Sequence, residues 1–368
     1  MSGTFAVVTG GGTSGHVLPA LAIADGLVAA GHRPESIHYV GSCRGVETRI
    51  VPSTGFPHSF LEVTGLQRSL TVRNLAIPLK LYRAIREAKR LLRVLRPAVV
   101  VNVGGYASFP STYAARRLRI PYVVVSYDRR PGLVSKLMAR RAAACAVAFE
   151  GSSLPRARLT GAPVRQAMIG LDRRTARARA REDLGLPADR FVVAVMCGSL
   201  GAGAVNEVVT AAVERLADRS DLAVYHVVGE RFLGDAAPAR VDSEGIIYRV
   251  IGYEDRMPQL YAAADLMVTR AGAGTVAELA TVGAPAIVVP WPDAAENHQF
   301  DNARVLSDKG AAVLIEQSEL TVDRLVDEIE NFIASPQELA ALADRAHAEG
   351  ALHRSGRLVK LIEEVAKP

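Results

Sequence analysis

Two doubly wound α/β domains, each built on a parallel sheet, are what this sequence predicts, and three observations carry that expectation. The chain has 368 residues, too many for one ordinary core and about right for two domains of ~150–200 residues. A β-rich run that ends in a glycine-rich turn and enters a helix-period segment occurs twice, at residues 5–16 and again at 191–203. Apolar β-branched runs elsewhere alternate with helical patterns, as in sheets wound with helices on both faces.

In chain order, residues 5–9 feed the turn Gly10-Gly11-Gly12-Thr13-Ser14-Gly15-His16. A helix-period segment over 18–30 stops at Gly31 and leads to a strand over 37–40, completing a β-loop-α-β unit. Residues 98–103, 122–125, 223–228, 266–269 and 286–289 read as buried parallel strands. The second glycine-rich turn, 197–203, opens a helix over 205–217. Glycine and proline punctuate Gly161-Ala162-Pro163-Val164-Arg165, where a domain of 1–163 joins one of 164–349. Two such open sheets facing each other bring their glycine-rich strand ends into one cleft, where ligands bind.

Composition narrows the function classes. With 49% hydrophobic and 22% charged residues the chain is an ordinary globular one, which excludes disordered and collagen-like classes. No apolar run approaches the ~18 residues of a membrane span, and the first residues lack the features of a signal peptide, so a cytoplasmic protein is expected. Cys43, Cys145 and Cys197 share no CxxC spacing, which argues for reduced thiols and no structural zinc. Residues 1–168 hold 23 basic and 7 acidic side chains, whereas the remaining 200 hold 21 and 31. A half so basic suits an anionic partner. Nucleic acid is a poor candidate, because aromatics make up only 5% of the chain.

Gly10-x-Gly12-x-x-Gly15 matches the dinucleotide fingerprint in form, but the next strand ends Val40-Gly41-Ser42-Cys43 with no carboxylate for a ribose, so NAD binding is not expected. A loop whose amides and helix N-terminus suit an anionic group remains. His16 at its mouth is either a base or a histidine that caps the turn. The chain has no P-loop, no HExxH and no Asp-x-Asp pair for a metal–phosphate complex. Cys197 replaces the first glycine of a GxSxG elbow. In the second half, Arg270-Ala271-Gly272-Ala273-Gly274-Thr275-Val276-Ala277-Glu278 sits between a strand and a helix. Thr275-x-x-Glu278 reads as a capping box, yet the small residues before it leave amides bare in the way a phosphate requires. The amide-rich cluster 290–302, which contains His298, Gln299 and Asn302, suits sugar hydroxyls. The acidic half therefore reads as a nucleotide-sugar site.

Together the Gly10–His16 turn, Gly104-Gly105-Tyr106, Gly161–Arg165, Arg270–Ala273, Thr275–Glu278 and His298-Gln299 with Asn302 resemble the MurG family, in family order along nearly the whole chain. The resemblance implies a GT-B fold of two Rossmann-like domains, with the C-terminal residues, about 350–368, returning to the N-terminal one. It implies an inverting transfer of N-acetylglucosamine from UDP-N-acetylglucosamine to the C4 hydroxyl of undecaprenyl-pyrophosphoryl-MurNAc-pentapeptide, a step of peptidoglycan synthesis, with no cofactor and no metal in the core chemistry. On the donor side it implies Arg165, Ser199, Ala273, Gly274 and Thr275 at the diphosphate, Glu278 at the ribose, the backbone near Glu254 at the uracil, and His298, Gln299 and Asn302 at the sugar. On the acceptor side it implies Thr13, Ser14, Gly15 and Tyr106, with His16 as base and Asp128 as second candidate. The family's His-Glu-Gln-Asn run is here Val125-Ser126-Tyr127-Asp128, and Leu200 replaces a glutamine of the second turn. The first departure keeps open a related transferase with another lipid or small acceptor. A non-catalytic UDP-sugar-binding homologue is the alternative from another class, and the retention of His16, Arg165, Glu278 and Gln299 together argues against it.

Residues 63–86 lack any acidic side chain, and from Leu75 onward cations and apolar residues alternate with helical periodicity through Arg96. Part of the apolar set should pack on the sheet, and the rest suits an anionic inner-leaflet phospholipid surface, with the chain peripheral on the cytoplasmic face of the membrane.

Overall fold

The computed structural model describes residues 3–63, 77–198, 201–236, 238–241, 244–294 and 297–367. Ser199, Leu200 and the stretch 64–76 lie outside the described residues. The chain forms two compact units, Met1–Gln166 with Leu352–Pro368, and Ala167–Ala351.

In the first unit seven strands, all parallel, make one sheet: β1 Ala6–Thr9, β2 Ile37–Ser42, β3 His58–Leu61, β4 Val99–Asn102, β5 Tyr122–Ser126, β6 Ala144–Val147 and β7 Ala157–Leu159. Their order is β3-β2-β1-β4-β5-β6-β7. Both faces of β1 and β4 are covered, which is why they read as unbroken apolar runs rather than alternating ones. Thr9 lies level with Val40 and Asn102, so the loops after β1, β2 and β4 leave the same edge. The order reverses between β1 and β4, which makes the crevice between their loops the ligand position of this architecture. The C-terminal helix Arg357–Ala366 closes the unit, burying Leu358, Leu361 and Ile362 against β4, β5, β6 and the Ser14–Ala29 helix.

The second unit repeats the design with β8 Phe191–Met196, β9 Leu222–Val227, β10 Arg240–Val241, β11 Ile247–Ile251, β12 Leu266–Thr269, β13 Ala286–Val288 and β14 Val313–Leu314. Their order is β10-β11-β9-β8-β12-β13-β14, parallel except for β10 against β11. Its reversal falls between β8 and β12. Strands β6, β7 and β11, like β3, β10 and β14, carried no sequence expectation. The first is rich in small alanines, and β7 is an exposed edge with a central arginine, so neither shows the β-branched enrichment that marks a buried strand.

Candidate active site

In the first unit the glycine-rich turn runs off β1 into the Ser14–Ala29 helix. Gly12 takes φ +92°, and a Cβ there would overlap the Tyr106 ring, which the next loop lays across it. Thr13 precedes the helix but its hydroxyl does not cap it; Oγ1 meets His16 Nδ1 at 3.1 Å instead. Gly104 and Gly105 pack against the His16 ring, where a Cβ on Gly104 would stand 3.3 Å from Nε2. Burial lowers the His16 pKa, and the charge of Asp128 opposes that without overcoming it. In the tautomer that donates Nδ1–H to Thr13, the ring lone pair lies on Nε2.

Two side chains hold this turn. Glu47 is fully buried; its Oε1 accepts from Gly12 N–H at 3.0 Å and from Ser42 N–H at 3.1 Å. One amide that a phosphate could have used is therefore taken, and an anion must rely on the first helical turn. The second holder follows from Pro19, which lies inside the helix and has no N–H for the Gly15 carbonyl. Tyr127 O–H donates to that carbonyl. Tyr127 belongs to the segment that departs from the family run, so the departure carries a structural bond of its own.

In the second unit the Ala273–Val282 helix starts after Gly272, with no side-chain cap. Thr275 lies inside the first turn, so the capping box does not form, and the correction matters for Glu278. That carboxylate is half-buried, and its Oε2 receives Tyr261 O–H at 3.3 Å. The helix N-terminus, with Ala273, Gly274 and Thr275, presents its first amides beside open space, since a Cβ on Gly274 would meet nothing within 4 Å. Gln299 Oε1 accepts Trp291 N–H at 3.0 Å, which leaves its NH2 group as the donor for a sugar. Asn302 is fully buried and gives its amide to Ala271 O at 3.3 Å, bracing the loop before the helix. His298 is half-buried in the first turn of its own helix, His298–Ser307.

The Glu254 carboxylate is buried and committed: Tyr225 O–H and the Arg256 guanidinium both donate to it, and so does Arg256 N–H at 2.7 Å. Burial alone raises its pKa, but the bonds from Arg256 and Tyr225 prevail and the net shift is downward. Only backbone near Glu254 remains for a ligand. Arg165 is half-buried at the end of the first unit's long segment, and the second unit does not itself contain it.

Three further positions had no role assigned from the sequence. Arg270 donates to Val289 O, Pro290 O and Gln317 Oε1, tying the ends of β12 and β13 together. Asn206 and His226 form a buried relay: Asn206 Nδ2 donates to Val228 O at 2.9 Å, so its Oδ1 must accept from His226 Nε2–H at 3.1 Å. His226 Nδ1 then accepts from Tyr248 O–H at 2.9 Å, and burial pushes the imidazole down to about 4. The relay fixes the Val228 carbonyl against Gly201 (φ +67°), where any side chain would collide with it. A histidine inside the otherwise apolar run 222–228 was the available signal. For Glu47 it was that a strongly basic half holds only seven acidic side chains.

Comparison with known proteins agrees with this geometry. Residues 6–147 match the Glycosyltransferase family 28 N-terminal domain and residues 192–358 the corresponding C-terminal domain. The chain is 39% identical over 367 residues to the UDP-N-acetylglucosamine–N-acetylmuramyl-(pentapeptide) pyrophosphoryl-undecaprenol N-acetylglucosamine transferase of Acidothermus cellulolyticus, covering 98% of this chain and 97% of the relative. The protein of that name from Paenarthrobacter aurescens is 38% identical over 360 residues, covering 97% and 95%. Among solved structures, the crystal structure of Acinetobacter baumannii MurG superposes with a TM-score of 0.73 at 26% identity, over 98% of this chain and 99% of that one. Two Rossmann-like sheets, two domain matches and end-to-end identity place the fold as GT-B, and the chain belongs to the MurG family of glycosyltransferases.

Proposed function

We propose that this protein is an enzyme that transfers N-acetylglucosamine from UDP-N-acetylglucosamine to the C4 hydroxyl of the lipid-linked MurNAc-pentapeptide, with inversion at the anomeric carbon. The observation that carries the proposal is Glu278. It stands beside an uncapped helix N-terminus at the sheet's reversal point and, as noted above, takes no part in a capping box. A carboxylate with two oxygens suits two ribose hydroxyls, and the amides of Ala273, Gly274 and Thr275 suit the diphosphate. Arg165, Ser199, His298 and Gln299 complete the donor set, with Asn302 holding the loop.

In the reaction the acceptor oxygen bonds to the anomeric carbon as the bond to the diphosphate breaks. His16 Nε2 takes the hydroxyl proton, a role worth ~10²–10⁴-fold in rate. The departing diphosphate gains negative charge, which a helix N-terminus and Arg165 stabilise. Thr13, Ser14, Gly15 and Tyr106 receive the acceptor, and Asp128 tunes His16. Similarity to relatives named for this substrate pair supports the assignment over a non-catalytic binder.

The acceptor is lipid-linked, so we place the protein peripherally on the cytoplasmic face of the membrane. No helix among the described residues is long and apolar enough to cross a bilayer. The Ile77–Leu95 helix supports surface docking: Ala84, Ala88 and Leu92 are buried, while Leu79, Tyr82 and Val94 are more than half exposed among Lys80, Arg83, Arg86, Arg90 and Arg93. Leu133 and Leu137 are exposed as well, and Arg116, Arg119 and Arg141 line a cavity of about 430 Å³ on the same unit. Apolar residues ringed by cations fit an anionic leaflet.

Calorimetric titration of UDP-N-acetylglucosamine tests the donor site. Glu278→Gln keeps the shape and removes the charge, and affinity should fall by ~1–3 kcal/mol. Parental affinity in the folded variant would remove Glu278 from the donor site.

A further inference from the structure

We propose that Glu47 and Tyr127 are positioning residues for the transfer, bracing the acceptor turn from opposite sides so that Thr13 and His16 hold one geometry. The inference deepens the functional reading above and rests on its assignment of His16.

Glu47 has a form that core packing alone does not explain. Oε1 serves two backbone amides, Gly12 in the turn after β1 and Ser42 at the end of β2. Oε2 is buried and has no hydrogen-bond partner among the described residues, a costly arrangement for a carboxylate. The chain also gives up side chains to admit it. A Cβ on Gly11 would overlap Oε1, one on Gly45 would sit 2.6 Å from Oε2, and one on Gly41 would sit 3.3 Å from Cγ. Two glycines from two loops thus converge on one carboxylate, while Gly41 in β2 faces its stem and, more closely, the Tyr39 ring. Its effect is to turn the Gly12 amide inward, one residue before Thr13, whose hydroxyl meets His16.

Tyr127 works at the other end of the same turn. Pro19 deprives the Gly15 carbonyl of its helical partner, and the Tyr127 hydroxyl replaces it. Thr13 lies between these two points, and His16 directly follows the second. Asp128, the next residue along from Tyr127, is the charged group that acts on His16. The brace and the tuning charge therefore come from one short segment after β5. A misplacement near 1 Å at a reacting group costs about a hundred-fold in rate, so a brace acts on turnover even though it touches no substrate.

Tyr127→Phe, Glu47→Ala and Glu47→Gln in the full chain test this. Turnover at saturating substrates should fall about ten- to a hundred-fold in Tyr127→Phe and Glu47→Ala. Glu47→Gln, which retains an oxygen for Gly12 N–H, should recover most of the loss. The KM for UDP-N-acetylglucosamine should stay parental in all three, because neither residue belongs to the proposed donor set. Histidine NMR without substrate, with His16→Gln for assignment, gives a readout independent of activity: the His16 resonance should shift and titrate closer to an ordinary histidine as the loosened turn admits water. If Glu47→Ala does not fold, Tyr127→Phe decides, since it removes one hydroxyl and keeps the ring. Parental turnover with an unchanged His16 titration would overturn the brace. So would a turnover loss that follows a fall in thermal midpoint and donor binding alike. A parent chain that transfers nothing would instead sink the functional reading, while the NMR arm would still judge the brace.

Discussion

His16 sits between two opposing influences, burial that lowers its pKa and the Asp128 charge that raises it, and burial prevails. A base of this kind is neutral at physiological pH and loses function only as pH falls through its lowered pKa. The acidic limb of kcat/KM, which reports the free enzyme, should therefore lie below the ordinary histidine value of 6.5. Asp128→Asn removes the raising influence, so the limb should move to still lower pH; a limb that moves up, or stays, contradicts the pairing. His16→Ala should lower turnover by ~10²–10⁴-fold and leave donor binding intact. At this scale the sequence was partly legible. His16 and Glu278 stand next to glycine-rich turns, and a turn next to a titratable group is visible in one dimension. Glu47 was not read, because it reaches Gly12 from 35 residues away and no local pattern encodes that meeting.

At the scale of elements, periodicity located the strands that are buried on both faces and missed those at or near sheet edges, such as β7, which carries little apolar pattern. The capping-box reading failed for a local reason: the helix begins two residues before Thr275, where Gly272 supplies the extended N-cap backbone. Another feature hidden from sequence is the ion cluster that joins the Arg173–Leu184 helix to β8 and β12. Asp265 accepts from Arg181 at 2.6 Å, from Arg177 at 2.5 Å and from Val192 N–H at 2.7 Å. Arg181 is 4% exposed, so Asp265→Ala would leave a buried cation without its partner. Thermal or denaturant unfolding should show a loss of ~3–5 kcal/mol. A change within experimental scatter would mean that water reaches the cluster. For the Ile77–Leu95 helix, vesicle co-sedimentation is the corresponding test. Binding should require anionic lipid and weaken at high salt, with each cation near the surface adding ~1 kcal/mol. Equal binding to neutral vesicles would leave the basic stripe as a solvated face.

Across the whole molecule, charge divides along the chain. The basic half, up to residue 168, contains the Gly10–His16 turn and the Ile77–Leu95 helix, and the acidic remainder contains the Ala273–Val282 helix and the amide cluster. On the proposed reading an anionic leaflet would attract the first and repel the second. Fold and family were readable because each glycine-rich turn lies directly between its strand and its helix. The braces behind those turns were not, because they come from distant loops. The most direct test supplies UDP-N-acetylglucosamine labelled in the sugar together with the undecaprenyl-pyrophosphoryl-MurNAc-pentapeptide in anionic vesicles. Label should pass into a lipid-extractable product that contains both sugars. Donor binding without any lipid-extractable label, or label that appears only on a different acceptor, would contradict the proposed reaction.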